Sequence, residues 1–244
     1  MFRLYWMYEW PFSCSWLTFY ILSVCYFIMK NYSLCMKIYI DEAGRGPLAG
    51  PVYVGLILED WVLKNSVFKK FGDSKQITPK KREELFDGLE SSAIVWSYGS
   101  SSATYIDRCG IVKALQQAIC KGLWKLSWQK WAMKVSILRD WISKNKVTLI
   151  LDGNHDFGLS KLLGVEVQTI IKWDSTVKQI GAASIVAKVL RDREMICLDK
   201  KYPRYGFAKH MGYGTQMHRD AIQKYGPSKI HRKSFCRNFM SSWT

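Results

Sequence analysis

Four carboxylates stand where apolar, β-rich runs come to an end. Asp41 follows Ile38-Tyr39-Ile40, with Glu42 beside it. Asp152 follows Leu149-Ile150-Leu151, and Asp174 comes just after Thr169-Ile170-Ile171. Neighbouring strands of one sheet lie about 5 Å apart, so acids at several strand ends can converge on one spot. Converging carboxylates repel each other and lose hydration unless a cation sits among them. Hard divalent ions, Mg²⁺ or Mn²⁺, favour such oxygen ligands. A strand-ending Asp also opens ordinary turns, and Asp152-Gly153 fits that description. The repetition of the placement, with Glu42 adjacent to Asp41, favours a metal site.

The run Gly44-Arg45-Gly46-Pro47-Leu48-Ala49-Gly50 follows the first of these acids. It superficially resembles a dinucleotide-binding loop, which must open a helix whose N-terminus holds the pyrophosphate. Here Pro51 and the β-branched run Val52-Tyr53-Val54 follow, so the next element is a strand. The two preceding acids would also repel a pyrophosphate. Bare glycine backbone is better suited to close approach to a ligand.

Charge and cysteines narrow the class further. Lys and Arg number 36 against 20 for Asp and Glu, a formal net charge of +16 in 244 residues. The excess lies almost wholly after Met36 and points to a polyanion, nucleic acid first and an anionic membrane surface second. The seven cysteines are scattered without a C-x-x-C pair, against a zinc ribbon or a disulfide framework. The four histidines form no H-E-x-x-H cluster, and no G-x-x-x-x-G-K-[ST] phosphate loop is present.

The elements that must position these residues form an α/β pattern. Strands are expected at Lys37–Ile40, Val52–Leu58 and Ala93–Tyr98, then at Lys146–Leu151 and Val165–Ile171. Thr78-Pro79 caps a helix. Apolar spacing predicts a buried helix from Ile106 to about Leu126, another over Ala182–Cys197 and a short one around Thr215–Lys224. The result is a mixed sheet with helices packed on it. Residues 1–35 differ from the rest: Trp10 to Met29 carries no charge, enough to cross a bilayer as a helix. The segment lacks a basic leader region, a small-residue cleavage site and a regular helical face, so it reads as an over-extended start.

With Asp41-Glu42-Ala43-Gly44-Arg45-Gly46-Pro47-Leu48-Ala49-Gly50-Pro51 in view, the chain closely resembles the bacterial ribonuclease HII family. The likeness recurs in Asp73-Ser74-Lys75, Asp152-Gly153-Asn154, Asp174-Ser175, Ala182 to Lys188 with Arg191-Asp192, and Tyr205-Gly206-Phe207. It closes with His210-Met211-Gly212-Tyr213-Gly214-Thr215 and His231-Arg232-Lys233-Ser234-Phe235, so it covers Met36 to about Phe235. Arg45 between its glycines looks like type HII rather than type HIII.

This resemblance implies a ribonuclease H-like mixed sheet flanked by helices, with a small helical C-terminal extension. The corresponding division is an apolar aromatic-rich extension 1–35, a catalytic domain 36–212 and a substrate-binding extension 213–244. It implies cleavage of RNA in RNA–DNA hybrids and at single ribonucleotides in duplex DNA, leaving 3′-hydroxyl and 5′-phosphate ends. Asp41, Glu42, Asp152 and Asp174 would hold two Mn²⁺ or Mg²⁺ ions about 3.5–4 Å apart, with Asp41 shared between them. Gly44, Arg45 and Gly46 would read the ribose 2′-hydroxyl through their backbone, with Tyr213 packed on the neighbouring sugar. Ser74 and Lys75 would bind a phosphate, and Lys188, His231, Arg232 and Lys233 are further candidates for contacts to the nucleic-acid backbone. Asp192 reads as a solvent-facing acid on a helix. A cytoplasmic monomer is expected, with no membrane attachment of the folded domain.

The chain departs from the family's pattern in residues 1–35, in Gly110 where Asn is usual, and in Trp173 where Gly is usual beside Asp174. Two readings from other classes remain: a basic nucleic-acid-binding protein with an inactive metal site, and a membrane-tethered protein using residues 10–29.

Overall fold

The computed structural model describes residues 36–59, 77–92, 94–128, 147–170 and 177–237, all within the unit Met36–Thr244. Five strands, β1 (Met36–Ala43), β2 (Val52–Leu58), β3 (Trp96–Ser101), β4 (Val147–Asp152) and β5 (Glu166–Ile170), form one sheet in the order β3-β2-β1-β4-β5. The β1–β2 and β2–β3 pairs are antiparallel; β1–β4 and β4–β5 are parallel. Parallel pairing brings the carboxyl ends of the central strands β1 and β4 to the same edge.

The helices are α1 (Pro79–Glu90), α2 (Ala103–Trp128), α3 (Leu159–Leu163), α4 (Lys178–Lys201), α5 (Phe207–His210), α6 (Gln216–Tyr225) and α7 (Lys233–Cys236). Thr78 caps α1 through its hydroxyl, which accepts from the Lys81 amide at 3.3 Å, with Pro79 leading the first turn. Thr215 caps α6 in the same way, accepting from His218 N. Strand alternation divides the core between the two faces of the sheet. Ile38, Ile40, Val54, Leu56, Leu149 and Leu151 pack against Leu115, Ala118 and Ile119 of α2. Tyr39, Ile57 and Ile150 pack on the other face against α1 and α4.

Several elements differ from the sequence reading. Strand β1 does not stop at Ile40: its antiparallel ladder continues through Asp41↔Gly55, Glu42↔Val54 and Ala43↔Tyr53. Strand β3 lies at Trp96–Ser101 rather than Ala93–Tyr98, because Gly99, Ser100 and Ser101 pair with the strongly β-forming start of β2. The long helix starts earlier, at Ala103, and breaks at Gly110, whose φ of 82° and ψ of 161° suit glycine alone. Helix α4 extends in both directions beyond Ala182–Cys197. Among the described residues no helix is long and apolar enough to cross a membrane; residues 10–29 lie outside them.

Candidate active site

The parallel register ends at Ile40↔Leu151, so Asp41 and Asp152 are the next neighbours along it. Alternation turns both to the α4 face, since Tyr39 and Ile150 lie there. Helix α4 comes unusually close at this point. A Cβ on Gly55, the cross-strand partner of Asp41, would stand 2.1 Å from the Ala183 carbonyl oxygen. That close approach brings Ser184 of α4 within hydrogen-bonding reach of the Asp41 carboxylate.

Asp41 is 8 % exposed. Burial, then the Glu42 charge and more weakly that of Asp152, push its pKa up to about 7, against the lowering bonds from Ser184 and the Glu42 amide. Glu42 is also raised, by burial first; Arg45 opposes that shift and Asp152 adds to it. Arg45 sits 3.7 Å from the Glu42 carboxylate and stacks over Phe157 at 5.4 Å. Three acids thus share a poorly hydrated space where their charges raise one another's cost. Among the described residues no three His, Cys, Asp or Glu side chains form a ready-made metal cage. Asp174, the fourth expected acid, lies outside the described residues, as do Ser74, Lys75 and Trp173. The donor chemistry of the acids that are described, all carboxylate oxygen, suits a hard divalent ion.

The glycine loop is held from below by two arginines that are fully buried. Arg232 donates from Nε to the Gly50 carbonyl at 3.0 Å, from Nη1 to Arg45 at 3.0 Å and from Nη2 to Gly44 at 2.6 Å. Arg191 donates from Nε to Pro51 at 3.1 Å and from Nη2 to Met211 at 2.9 Å, with a longer bond to Ala49. The carbonyls of Gly44 and Arg45 are therefore committed to the protein interior.

Gly44 and Gly46 differ in what they leave room for. Gly44 has φ +89°, and a Cβ there would lie 2.0 Å from Arg191 Nε, whereas a Cβ on Gly46 would meet nothing within 4 Å. The fold requires Gly44; the packing leaves the space at Gly46 open. Tyr213 is exposed, with the Arg191 guanidinium 5.6 Å and the Lys188 ammonium 5.8 Å from its ring centroid.

Other expectations are corrected by burial and pairing. His231 and Arg232 are buried and do not face a nucleic-acid backbone. Asp192 is not a solvent-facing acid: it binds Lys188 Nζ at 2.7 Å and Arg82 Nη1 at 3.3 Å, with only 16 % of its side chain exposed. Lys188 is accordingly engaged by Asp192, and Lys233 is exposed. Arg191 was legible as part of a motif but not as an anchor. Its signal is position: it falls on the buried α4 stripe Ile180, Ser184, Ala187, Arg191 and Met195.

A mixed sheet joining its paired acids at the carboxyl ends of two central parallel strands, under a helix that buries one of them, belongs to the ribonuclease H-like nucleases. Ribonuclease H2 from Pyrococcus horikoshii OT3 has this fold, with a TM-score of 0.60 and 25 % identity over 84 % of this chain and 96 % of its own. Residues 38–238 match the family model described as ribonuclease HII, and the chain belongs to that family. The ribonuclease HII of Nitrosomonas europaea is 40 % identical over 196 residues, 80 % of each chain. That of Geobacillus thermodenitrificans is 40 % identical over 80 % of this chain and 66 % of its own. Membership makes the chain a ribonuclease H, a metal-dependent endonuclease acting on RNA–DNA hybrids.

Proposed function

We infer that this chain cleaves both the RNA strand of RNA–DNA hybrids and single ribonucleotides embedded in duplex DNA, by two-metal hydrolysis that leaves 3′-hydroxyl and 5′-phosphate ends. The observation that carries the reading is the buried Asp41, held beside Glu42 and Asp152 with its pKa raised to about 7. A site this costly to charge is suited to cations. Asp41, Glu42, Asp152 and Asp174 are assigned as the ligands, with Asp41 shared. Bound there, two Mg²⁺ or Mn²⁺ ions would supply an activated water and neutralise the charge developing on the leaving oxygen.

The remaining tasks fall to the chain's own groups. With the Gly44 and Arg45 carbonyls turned inward by Arg232, the loop is left to meet a ribose through its remaining backbone groups and the open side of Gly46. The 2′-hydroxyl is the group that separates ribose from deoxyribose, and it both donates and accepts. Tyr213 offers an exposed ring to the adjoining sugar, with the Arg191 and Lys188 cations set against that ring. Ser74 and Lys75 are assigned to a phosphate. The basic surface of the chain supports binding to a polyanion of either type.

The test is cleavage of a duplex with one embedded ribonucleotide and of a long RNA–DNA hybrid, with Mg²⁺ or Mn²⁺, by the full chain and a form starting at Met36. Cleavage of the embedded site at its phosphodiester, leaving a 5′-phosphate, is expected; binding without cleavage would overturn the reading in favour of an inactive nucleic-acid-binding protein. Gly46→Ala should leave thermal stability within about 0.5 kcal/mol of wild type. It should nevertheless reduce kcat/KM on both substrates by about 5- to 10-fold, the effect of one displaced bond to a sugar. Gly44→Ala should instead destabilise the fold, since its Cβ meets Arg191. Tyr213→Ala should cost far more on the embedded ribonucleotide than on the hybrid, because only the former presents a ribose-to-deoxyribose junction at every cut. Unchanged cleavage by Gly46→Ala, or equal losses for Tyr213→Ala on the two substrates, would remove the respective assignments.

A further inference from the structure

Three of the four histidines gather in one place. His210 on α5, His218 on α6 and His231 just before α7 are all buried, and His155 stands apart on the surface. The His210 and His218 rings stack with centroids 4.3 Å apart, and His218 lies 5.2 Å from His231. Tyr205 and Phe207 pack around them.

The hydrogen bonds fix each ring's proton. A backbone carbonyl only accepts and a backbone amide only donates. His210 Nε2 is 2.9 Å from the Tyr205 carbonyl, so it carries the hydrogen, and its Nδ1 accepts from Gly212 N at 3.2 Å. His231 Nδ1 accepts from Ser228 N at 2.9 Å, with the Ser228 hydroxyl also 2.8 Å away. His218 Nδ1 lies 2.9 Å from the Tyr213 carbonyl and must donate to it. Its bare Nε2 then accepts from His231 Nε2, 3.0 Å away. All three rings are neutral in this arrangement. A proton added at His210 Nδ1 or His218 Nε2 would set one N–H against another. Burial also lowers the pKa of His218 and His231 to about 4 and about 3.

The relay joins two parts of the chain. At one end, His231 bridges Ala49 of the glycine loop, flanked by bonds from Gly50 N to the Ile230 carbonyl and from Arg232 N to the Leu48 carbonyl. At the other end is the peptide of Tyr213, whose N–H donates to the His210 carbonyl at 2.9 Å. Its carbonyl also receives Thr215 N at 2.8 Å. The adjoining Gly212 carbonyl takes Leu48 N and Ala49 N from the same loop.

We propose that the His231–His218 relay fixes the spacing between the Gly44–Gly50 loop and Tyr213, and so sets selectivity for a ribose-to-deoxyribose junction. His218 and His231 are positioning residues that act through Tyr213. This rests on the junction-reading role given to Tyr213 above.

Two measurements test it. Long-range ¹H–¹⁵N spectra of the full-length wild type at pH 7 should show His218 as the Nδ1–H tautomer, and His210 and His231 as Nε2–H. An Nε2–H or doubly protonated His218 would overturn the relay. Second, the two halves of His218 can be separated. An Asn amide stands near the Nδ1 position and can still donate to Tyr213, whereas a Gln amide reaches towards Nε2 and leaves that carbonyl without its histidine donor. His218→Gln should lose about 5- to 10-fold in kcat/KM on the embedded ribonucleotide, the worth of one hydrogen bond, with little change on the hybrid. His218→Asn, which keeps a donor for the Tyr213 carbonyl but leaves His231 Nε2 without its acceptor, breaks the relay at its other joint and should show a similar selective loss on the embedded ribonucleotide. Equal losses on the two substrates would mean a purely structural role. Wild-type selectivity in His218→Asn would mean that the Tyr213 bond alone, without the link to His231, does the positioning, which overturns the relay. If Tyr213→Ala shifts selectivity and His218→Gln does not, the relay alone is overturned. If Tyr213→Ala shifts nothing, the junction reading falls and the relay's role with it.

Discussion

Asp41→Asn should abolish cleavage while making the metal-free protein more stable. The loss of activity, on the order of 10³-fold or more, follows from removing the charge assigned as the shared cation ligand. The gain in stability follows from the metal-free site, where Asp41 is buried against Glu42 and Asp152. Its folded pKa is raised from an unfolded value of 3.8 to about 7. Below pH 3.8 the carboxyl is protonated in both states and costs nothing extra. As pH rises towards 7 the unfolded chain releases this proton first, and the folded state falls behind in stability. Above about 7 the penalty is complete. The advantage of Asn should therefore be small at pH 4, grow through the interval to pH 7 and then level off, reaching on the order of 2–4 kcal/mol. Urea unfolding of both proteins in chelator from pH 5 to 8 measures it. A variant that cleaves within a few-fold of wild type, or that is less stable than wild type at pH 8, would sink the assignment.

The legibility of the fold depended on how local each signal was. Strand β2 could be read to the residue because an unbroken apolar run is bounded by Pro51 and Glu59. Strand β3 could not, since Gly99, Ser100 and Ser101 have little strand preference and are extended only by pairing to β2. The acids were found from their place after apolar runs, but Asp41 turned out to lie inside β1. The parallel ladder stops at Ile40 while the antiparallel one continues, and a sequence does not show which partner ends first. Basic residues misled most. Arg232 and His231 stand in a Lys- and Arg-rich tail and read as surface contacts, yet both are buried. Arg232 is held by the glycine loop nearly two hundred residues earlier in the chain, and the His231 ring packs against Tyr205, Phe207 and His218, contacts that no local pattern encodes.

Arg232→Met should both unfold the protein more readily and impair cleavage of every substrate. The arginine supplies bonds to the Gly44, Arg45 and Gly50 carbonyls from one planar fork. Methionine fills much of the volume but leaves those carbonyls to find other donors. Each buried carbonyl left unpaired costs about 1–3 kcal/mol, so a total loss of about 3–5 kcal/mol is expected. Removing the cation brings some relief, because burial and the nearby Arg191 charge already lower the Arg232 pKa. That relief is smaller than the loss, since the neutral replacement offers no donor at all. Arg232→Lys separates the two contributions. It keeps the charge on a single nitrogen that cannot reach three carbonyls in the arginine's geometry. Lys should recover part of the stability and little of the activity, because the Gly44–Gly46 backbone would still be free to turn. Unlike Tyr213→Ala, both Arg232 variants should lose kcat/KM on the embedded ribonucleotide and on the long hybrid alike, since each substrate presents a 2′-hydroxyl to the same loop. Thermal unfolding and cleavage of the two substrates in parallel decide the matter. Wild-type kinetics in Arg232→Lys would show that charge alone, and not the three-carbonyl fork, holds the loop in its working form.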